Sequence, residues 1–197
     1  NYGYIMAGSN YDFNNNVPLV WLIKADKYGD QEWENTYQRQ TNSYDEGSHV
    51  LQTHDGGYII AASSYPTNWI IKTSSYGTEM WDNVLTGGFN ANSIYQNHDN
   101  SYIVTGRSQN NYNLWVGKIN VFGDEEWTQE YGDEGFQYGN FIIQNSDDAF
   151  VIAGSTFNSS TETSNDIWLI SFPDIIYGCT APDCCNYNPD ANIDDGS

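Results

Sequence analysis

Asp55-Gly56-Gly57-Tyr58-Ile59-Ile60-Ala61-Ala62-Ser63 decides the fold, because both halves of this stretch recur along the chain. Asp-Gly-Gly is turn chemistry, since these residues tolerate left-handed backbone angles, and the apolar run after it is short and rich in aromatic and β-branched residues. Tyr4-Ile5-Met6-Ala7-Gly8-Ser9, Tyr102-Ile103-Val104-Thr105-Gly106-Arg107 and Phe150-Val151-Ile152-Ala153-Gly154-Ser155 repeat the run, and the four starts lie 54, 44 and 48 residues apart. Asp99-Asn100-Ser101 and Asp147-Asp148-Ala149 repeat the turn.

Working outward, each run is followed by a second: Trp21-Leu22-Ile23-Lys24, Trp69-Ile70-Ile71-Lys72, Trp115-Val116-Gly117-Lys118 and Trp168-Leu169-Ile170-Ser171. A third element, Gly-x-x-x-Trp, joins Gly29 to Trp33, Gly77 to Trp81 and Gly123 to Trp127. A fourth apolar run precedes each new start, at His49-Val50-Leu51-Gln52, Ser93-Ile94-Tyr95-Gln96 and Phe141-Ile142-Ile143-Gln144. Every one of the 7 Trp (Trp21, Trp33, Trp69, Trp81, Trp115, Trp127, Trp168) therefore occupies one of two repeat positions. Four short strands in about 45–50 residues is the size of one β-propeller blade. The spacing predicts an all-β, propeller-like repeat of four-stranded antiparallel blades over residues 1–177, with the Trp residues as wedges between blades. The small residue in the first run (Gly8, Ala62, Gly106, Gly154) predicts a strand crowded near the central axis.

Three units carry all four runs and the fourth carries two, a count of about three and a half blades. An unfilled half-blade leaves hydrogen-bonding edges that soluble proteins cover or close. Three arrangements meet that need: a fragment of a longer propeller, a ring of four blades with a thin last one, or a subunit completed by another copy.

Composition narrows the function classes. With 26 acidic and 6 basic side chains among 197 residues, the net charge is −20, which repels phosphate backbones and anionic membranes. No apolar stretch is long enough for a transmembrane helix, and Asn1-Tyr2-Gly3-Tyr4 does not read as a signal peptide. Neither nucleic-acid binding nor membrane insertion is expected. Leu, Ile, Val and Phe make up only about a fifth of the chain. The 16 Tyr and 7 Trp supply the missing core area, each large ring burying about 150–250 Å².

The combination of Asp55-Gly56-Gly57-Tyr58 with Trp-x-x-Lys and Gly-x-x-x-Trp resembles the Asp-Gly-Gly-Tyr repeats of large secreted proteins from Bacteroidetes-type bacteria. The resemblance spans roughly residues 1–172 and implies a propeller in an extracellular or cell-surface setting. The Gly-x-x-x-Trp turn is also similar to the tryptophan-docking element of quinoprotein-type propellers and, more loosely, to the Asp-box of sialidases. No catalytic motif of those enzymes is matched, so only architecture carries over.

Composition shifts at Gly178, and residues 178–197 hold all 3 cysteines. This tail resembles the short Gly-Cys-Thr-Asp-Pro…Asn-Tyr-Asn-Pro…Asp-Asp-Gly-Ser modules of surface proteins from the same bacteria. It departs at Ala181, where the module has Asp, and at Cys184, an extra thiol. The chain also stops one residue before the module's final Cys, as a piece of a longer product would. The secreted setting favours disulfides among Cys179, Cys184 and Cys185, with Cys179 pairing either of the other two. Asp190, Asn192, Asp194 and Asp195 alternate carboxylate and amide oxygens ahead of Gly196, the pattern of an oxygen-ligand calcium loop. An Asx-turn cluster packed by a disulfide accounts for the same residues.

Other chemistry is sparse. His54 and His98 share one repeat position, which points to turn structure rather than catalysis, and His49 is the third histidine. No metalloprotease, nucleophile-elbow, phosphate-loop or dinucleotide pattern occurs. Acidic pairs such as Glu125-Glu126 fall in solvent-facing stretches. Lys24, Lys72 and Lys118 recur three residues after a Trp, as expected for an inter-blade ion pair or cation–π contact. Asn158-Ser159-Ser160 is a lone sequon. Together these readings lead to the expectation of an extracellular, non-enzymatic structural or adhesive surface protein that self-associates, as a fibre or filament subunit formed by blade completion. The alternative is a glycan-binding propeller lectin that stacks sugars on exposed Trp and Tyr.

Overall fold

The computed structural model describes residues 3–13, 16–132, 135–146, 149–157 and 166–173. Fourteen strands and no helix form among them. They are β1 (Gly3–Asp12), β2 (Val17–Asp26), β3 (Gln31–Tyr37), β4 (Asp45–Gln52), β5 (Tyr58–Ser64), β6 (Thr67–Thr73), β7 (Glu79–Asn83), β8 (Gly88–Gln96), β9 (Tyr102–Ser108), β10 (Leu114–Ile119), β11 (Glu125–Tyr131), β12 (Phe136–Gln144), β13 (Phe150–Phe157) and β14 (Asp166–Phe172). All pairings are antiparallel between neighbours in sequence, as short turns require.

The grouping of strands differs from the sequence units. The four sheets are β1-β2-β3, β4-β5-β6-β7, β8-β9-β10-β11 and β12-β13-β14. The run at His49–Gln52 opens the second sheet instead of ending the first. Its turn is the reason: Gly56 N–H donates to Thr53 O (2.8 Å) and Thr53 N–H to Gly57 O (2.9 Å), a hairpin too tight to leave β4 and β5 unpaired. The same closure joins Asn97 to Ser101 and Asn145 to Ala149, each at 2.9 Å. The chain passes from one sheet to the next between β3 and β4, between β7 and β8 and between β11 and β12.

This places the small-residue strand second in its sheet. A β-carbon at Gly106 would lie 2.1 Å from the Asn90 carbonyl oxygen, and one at Gly154 would lie 2.2 Å from that of Tyr138, so the crowding comes from the strand before it. At Gly8, in the sheet that has no such strand among the described residues, the space is open.

Three apolar layers fill the three gaps between successive sheets. Val20, Leu22 and Trp33 of the first sheet meet Ile60, Trp69 and Ile71 of the second. Ile59, Ile70 and Trp81 then meet Ile94, Val104 and Trp115, and Ile103, Val116 and Trp127 meet Ile142, Phe150 and Ile152. Six of the Trp, the five just named and Trp168 of the fourth sheet, pack in these layers. Two of the indole N–H groups find partners at the rim of the layers: Trp69 donates to Asp82 (2.7 Å) and Trp115 to Thr86 O (3.0 Å).

Candidate functional site

At the end of the sheets where β5 turns into β6 lies an open groove of about 460 Å³, lined by Tyr44, Glu46, Ser63, Tyr65, Phe89 and Asn90. Its walls come from residues that the repeat does not dictate. Tyr44 stands on the long link before β4, and its carbonyl accepts the Tyr65 N–H at 3.1 Å, which ties that link to the β5–β6 turn. Phe89 is the extra residue of a bulge, since Gly88 pairs Ser108 and Asn90 pairs Arg107. A bulge re-aims a side chain. Here it brings Phe89 edge-on to Tyr65, with centroids 5.4 Å apart and planes at 87°.

The floor is polar. Glu46, Asn90 and Tyr138 sit at one repeat position on β4, β8 and β12, opposite Ser63, Arg107 and Ser155. Asn90 Oδ1 accepts the Arg107 N–H (3.0 Å) and Asn90 Nδ2 donates to Asn92 Oδ1 (3.1 Å), so the amide is held rigidly. Arg107 stands behind the groove within a ring of π faces, 4.3 Å from the Phe89 centroid, 5.0 Å from Tyr112 and 5.3 Å from Tyr138. Next to Glu46, Asp45 is fully buried. Its Oδ2 accepts the Arg39 N–H (2.9 Å) and the Ser43 hydroxyl (2.6 Å), which fixes the link that carries Tyr44.

Two further depressions lie at the opposite end. One is lined by Trp33, Gln52, Gly56 and Tyr58, the other by Gln96, Asn100 and Tyr102. Gln52, Gly56 and Tyr58 are the repeat equivalents of Gln96, Asn100 and Tyr102, so these are one notch recurring between successive sheets.

The residues singled out in the sequence have other roles. The three lysines are buried and pair within their own sheets, not between blades: Lys24 with Glu32 (2.8 Å), Lys72 with Asp55 (2.9 Å) and Lys118 with Glu126 (3.6 Å). Each lysine stands on the strand after the small-residue strand and meets an acid of its own sheet, Glu32 on β3, Glu126 on β11 and Asp55 in the β4–β5 turn, because antiparallel pairing brings these neighbours alongside it. Burial pushes the Asp55 carboxyl up, but bonds from Thr53, Lys72 and the Gly57 N–H outweigh it and bring the group down to about 2. His49 accepts the Ile94 N–H at Nδ1 (3.1 Å), linking β4 to β8, and burial lowers its pKa. His54 meets Asn100 at 3.1 Å in the turn region, a structural role. The calcium ligands Asp190, Asn192, Asp194 and Asp195 and the cysteines Cys179, Cys184 and Cys185 lie outside the described residues. Among those described, no cluster of three or more metal-ligating side chains occurs.

None of the Trp is exposed and none lines the groove, although Trp33 lines one of the depressions at the opposite end. The exposed rings of the groove are Tyr44 and Tyr65. Sequence reasoning missed them because it followed what recurs; the signal was an aromatic residue outside the repeat, in each of two links at the same end.

No protein-family model matches the chain, and no curated protein matches it. Solved structures do. A candidate exo-β-1,3-galactanase from Bifidobacterium bifidum s17 superposes with a TM-score of 0.57 at 12% identity, covering 86% of this chain and 63% of its own. The WD40 domain of Neurospora crassa Pan2 gives 0.52 at 11% identity, covering 81% of this chain and 48% of its own. A streptogramin B lyase gives 0.50 at 14%, covering 87% and 59%. The fold is of the β-propeller type. The chain spans about half to two thirds of these propellers, and identities this low speak for the fold alone.

The expectation of a non-enzymatic structural or adhesive protein is corrected here. A propeller described as a galactanase and another that is a lyase share this architecture. Propeller sites are assembled from separate strands and links, so the absence of a contiguous catalytic motif says nothing against catalysis.

Proposed function

We propose that this propeller is directed at glycans, engaging a neutral saccharide in the groove of Tyr44, Glu46, Ser63, Tyr65, Phe89 and Asn90. The observation that carries this reading is the pairing of exposed aromatic rings with a rigid amide and a carboxylate around one open depression. Sugar rings present apolar C–H faces and hydroxyl edges, which such a site meets with ring faces and with fixed donors and acceptors. The net charge of −20 favours neutral over polyanionic glycans. The likeness to a candidate exo-β-1,3-galactanase supports β-1,3-linked galactose oligomers as the first probe.

Calorimetric titration with β-1,3-galacto-oligosaccharides, alongside a panel of other neutral oligosaccharides, tests the reading. Analysis of the same mixtures for released sugar reports whether the bound saccharide is also hydrolysed, a reaction that uses a pair of carboxyl groups across the bond and so needs a second one beside Glu46. Binding weakened in Tyr65→Ala supports the site. Absence of binding across the panel, or binding indifferent to Tyr65, overturns it.

A further inference from the structure

The two outermost faces of the sheet stack are apolar, and the repeat shows what each was built to meet. In the first sheet, Tyr4 is 60% exposed, whereas Tyr58, Tyr102 and Phe150 at the same repeat position are 3%, 1% and 0% exposed. Met6 is 46% exposed, against 0% for Ile60, Val104 and Ile152. Those buried equivalents are the residues with which each later sheet covers the sheet before it. At the other end of the stack, Leu169 is 67% exposed where Leu22, Ile70 and Val116 are 0%. Ile167 is 87% exposed where Val20 and Leu114 are 0%. Leu22, Ile70 and Val116 are the residues with which each earlier sheet meets the next.

The exposed face of the first sheet and that of the fourth are therefore the two halves of one interface, already formed three times within the chain. We propose that the fourth sheet of one molecule packs, through Ile167 and Leu169, onto Tyr4 and Met6 of the first sheet of a second copy. The contact is head-to-tail between faces, uses side-chain packing rather than strand addition, and closes when two copies complete a ring. It does not depend on the glycan groove. The occupant is a second copy because, among the described residues, the two open faces carry at the same repeat positions the residue types that meet in the three internal gaps. The chain's negative charge opposes the approach of two copies, so association strengthens as salt screens that repulsion.

Sedimentation velocity of the chain from micromolar to hundred-micromolar concentration, at low and high salt, is the test. Dimer favoured by concentration and by salt is expected. Two double variants assign the faces: Ile167→Glu with Leu169→Glu, and Tyr4→Glu with Met6→Glu. All four side chains are largely exposed in the single chain, so both variants fold, as circular dichroism will show. Each alone should be monomeric, whereas an equimolar mixture should regain a dimer through its one intact pair of faces. A wild-type monomer throughout overturns the proposal, as when other parts of a longer chain or a different partner cover these faces. A dimer that survives either variant alone overturns it too, as does a mixture that stays monomeric.

Discussion

The indole of Trp81 in one sheet lies against the backbone of Gly123 in the next, so close that a β-carbon there would sit 2.7 Å from Cε3. Asn83 Nδ2 donates to the carbonyl of the same glycine at 2.6 Å. Trp33 and Gly77 repeat the contact one sheet earlier, with a built β-carbon 2.7 Å from Cζ3. The Gly-x-x-x-Trp element is thus a donor and a receiver in one, its Trp gripping the next sheet while its Gly is gripped by the sheet before.

Gly29 offers a control for that grip. Its φ of +92° matches the +89° of Gly123, yet nothing lies within 4 Å of a β-carbon built on it. Gly29→Ala should cost only the backbone strain, about 1 kcal/mol. Gly123→Ala should cost about 1–3 kcal/mol more, because the ring must move as well. Urea unfolding of the two variants measures the difference, and equal losses would refute a packing role for the glycine.

Asn68 is fully buried and holds the crossing from the second sheet to the third. Its Nδ2 donates to Leu85 O (2.8 Å) and Gly88 O (3.0 Å), while its Oδ1 accepts the Leu85 N–H (2.8 Å). Asn68→Leu should destabilise by about 2–4 kcal/mol, since it strands three buried backbone groups. The equivalent positions in the other sheets, Val20, Leu114 and Ile167, carry apolar residues, so volume alone does not explain the amide. A Leu variant as stable as wild type would show that water serves those groups instead.

The Asp55–Lys72 pair makes stability depend on pH at the acid end. Asp55 falls from 3.8 to about 2 on folding, so its contribution is present above the unfolded value and fades as pH drops through about 2. Because 57% of the Asp55 side chain is exposed, solvent screening reduces the contribution to about 1 kcal/mol. Denaturant titrations of wild type and Asp55→Asn should differ at neutral pH and converge toward pH 2.

His49 acts with the opposite group but in the same direction. Burial lowers its pKa below 6.5, so the unfolded chain takes up a proton before the folded one does. Stability should fall as pH drops from 6.5 toward the folded value, and protonation at Nδ1 would cost the Ile94 N–H its acceptor. Replacing His49 with Gln should flatten this segment of the stability profile. An unchanged slope would place the proton elsewhere.

In the groove, Tyr65→Ala and Phe89→Ala should each weaken saccharide binding by about 2–15-fold, the worth of one aromatic contact. Tyr28→Ala, an equally exposed ring on a turn at the far end, should leave binding unchanged.

Strand number and antiparallel order were legible in the sequence because Asp55-Gly56-Gly57 and its equivalents punctuate runs of fixed character. The units were misjudged by one strand, since a repeat in sequence has no marked beginning. Whether β4 pairs with β3 or β5 depends on which link is tight, and that is a matter of backbone hydrogen bonds. Lys24, Lys72 and Lys118 were recognisably structural, but which acid each would meet was not, because Glu32 and Glu126 come from the strand that follows while Asp55 comes from a turn that precedes its lysine. The groove was not legible at all. Phe89 points into it through a bulge, and nothing in the residues from Gly88 to Asn90 announces where the extra residue will fall.

By itself, the sequence determined that the chain would be a stack of small antiparallel sheets wedged apart by tryptophans, because hairpin turns and apolar periodicity act over a few residues. Only the tertiary structure decided which faces are buried and which are left open. Tyr4 and Tyr58, or Leu169 and Leu22, read alike in sequence. They differ solely in whether another sheet lies against them, a fact settled by long-range packing and invisible to any local pattern.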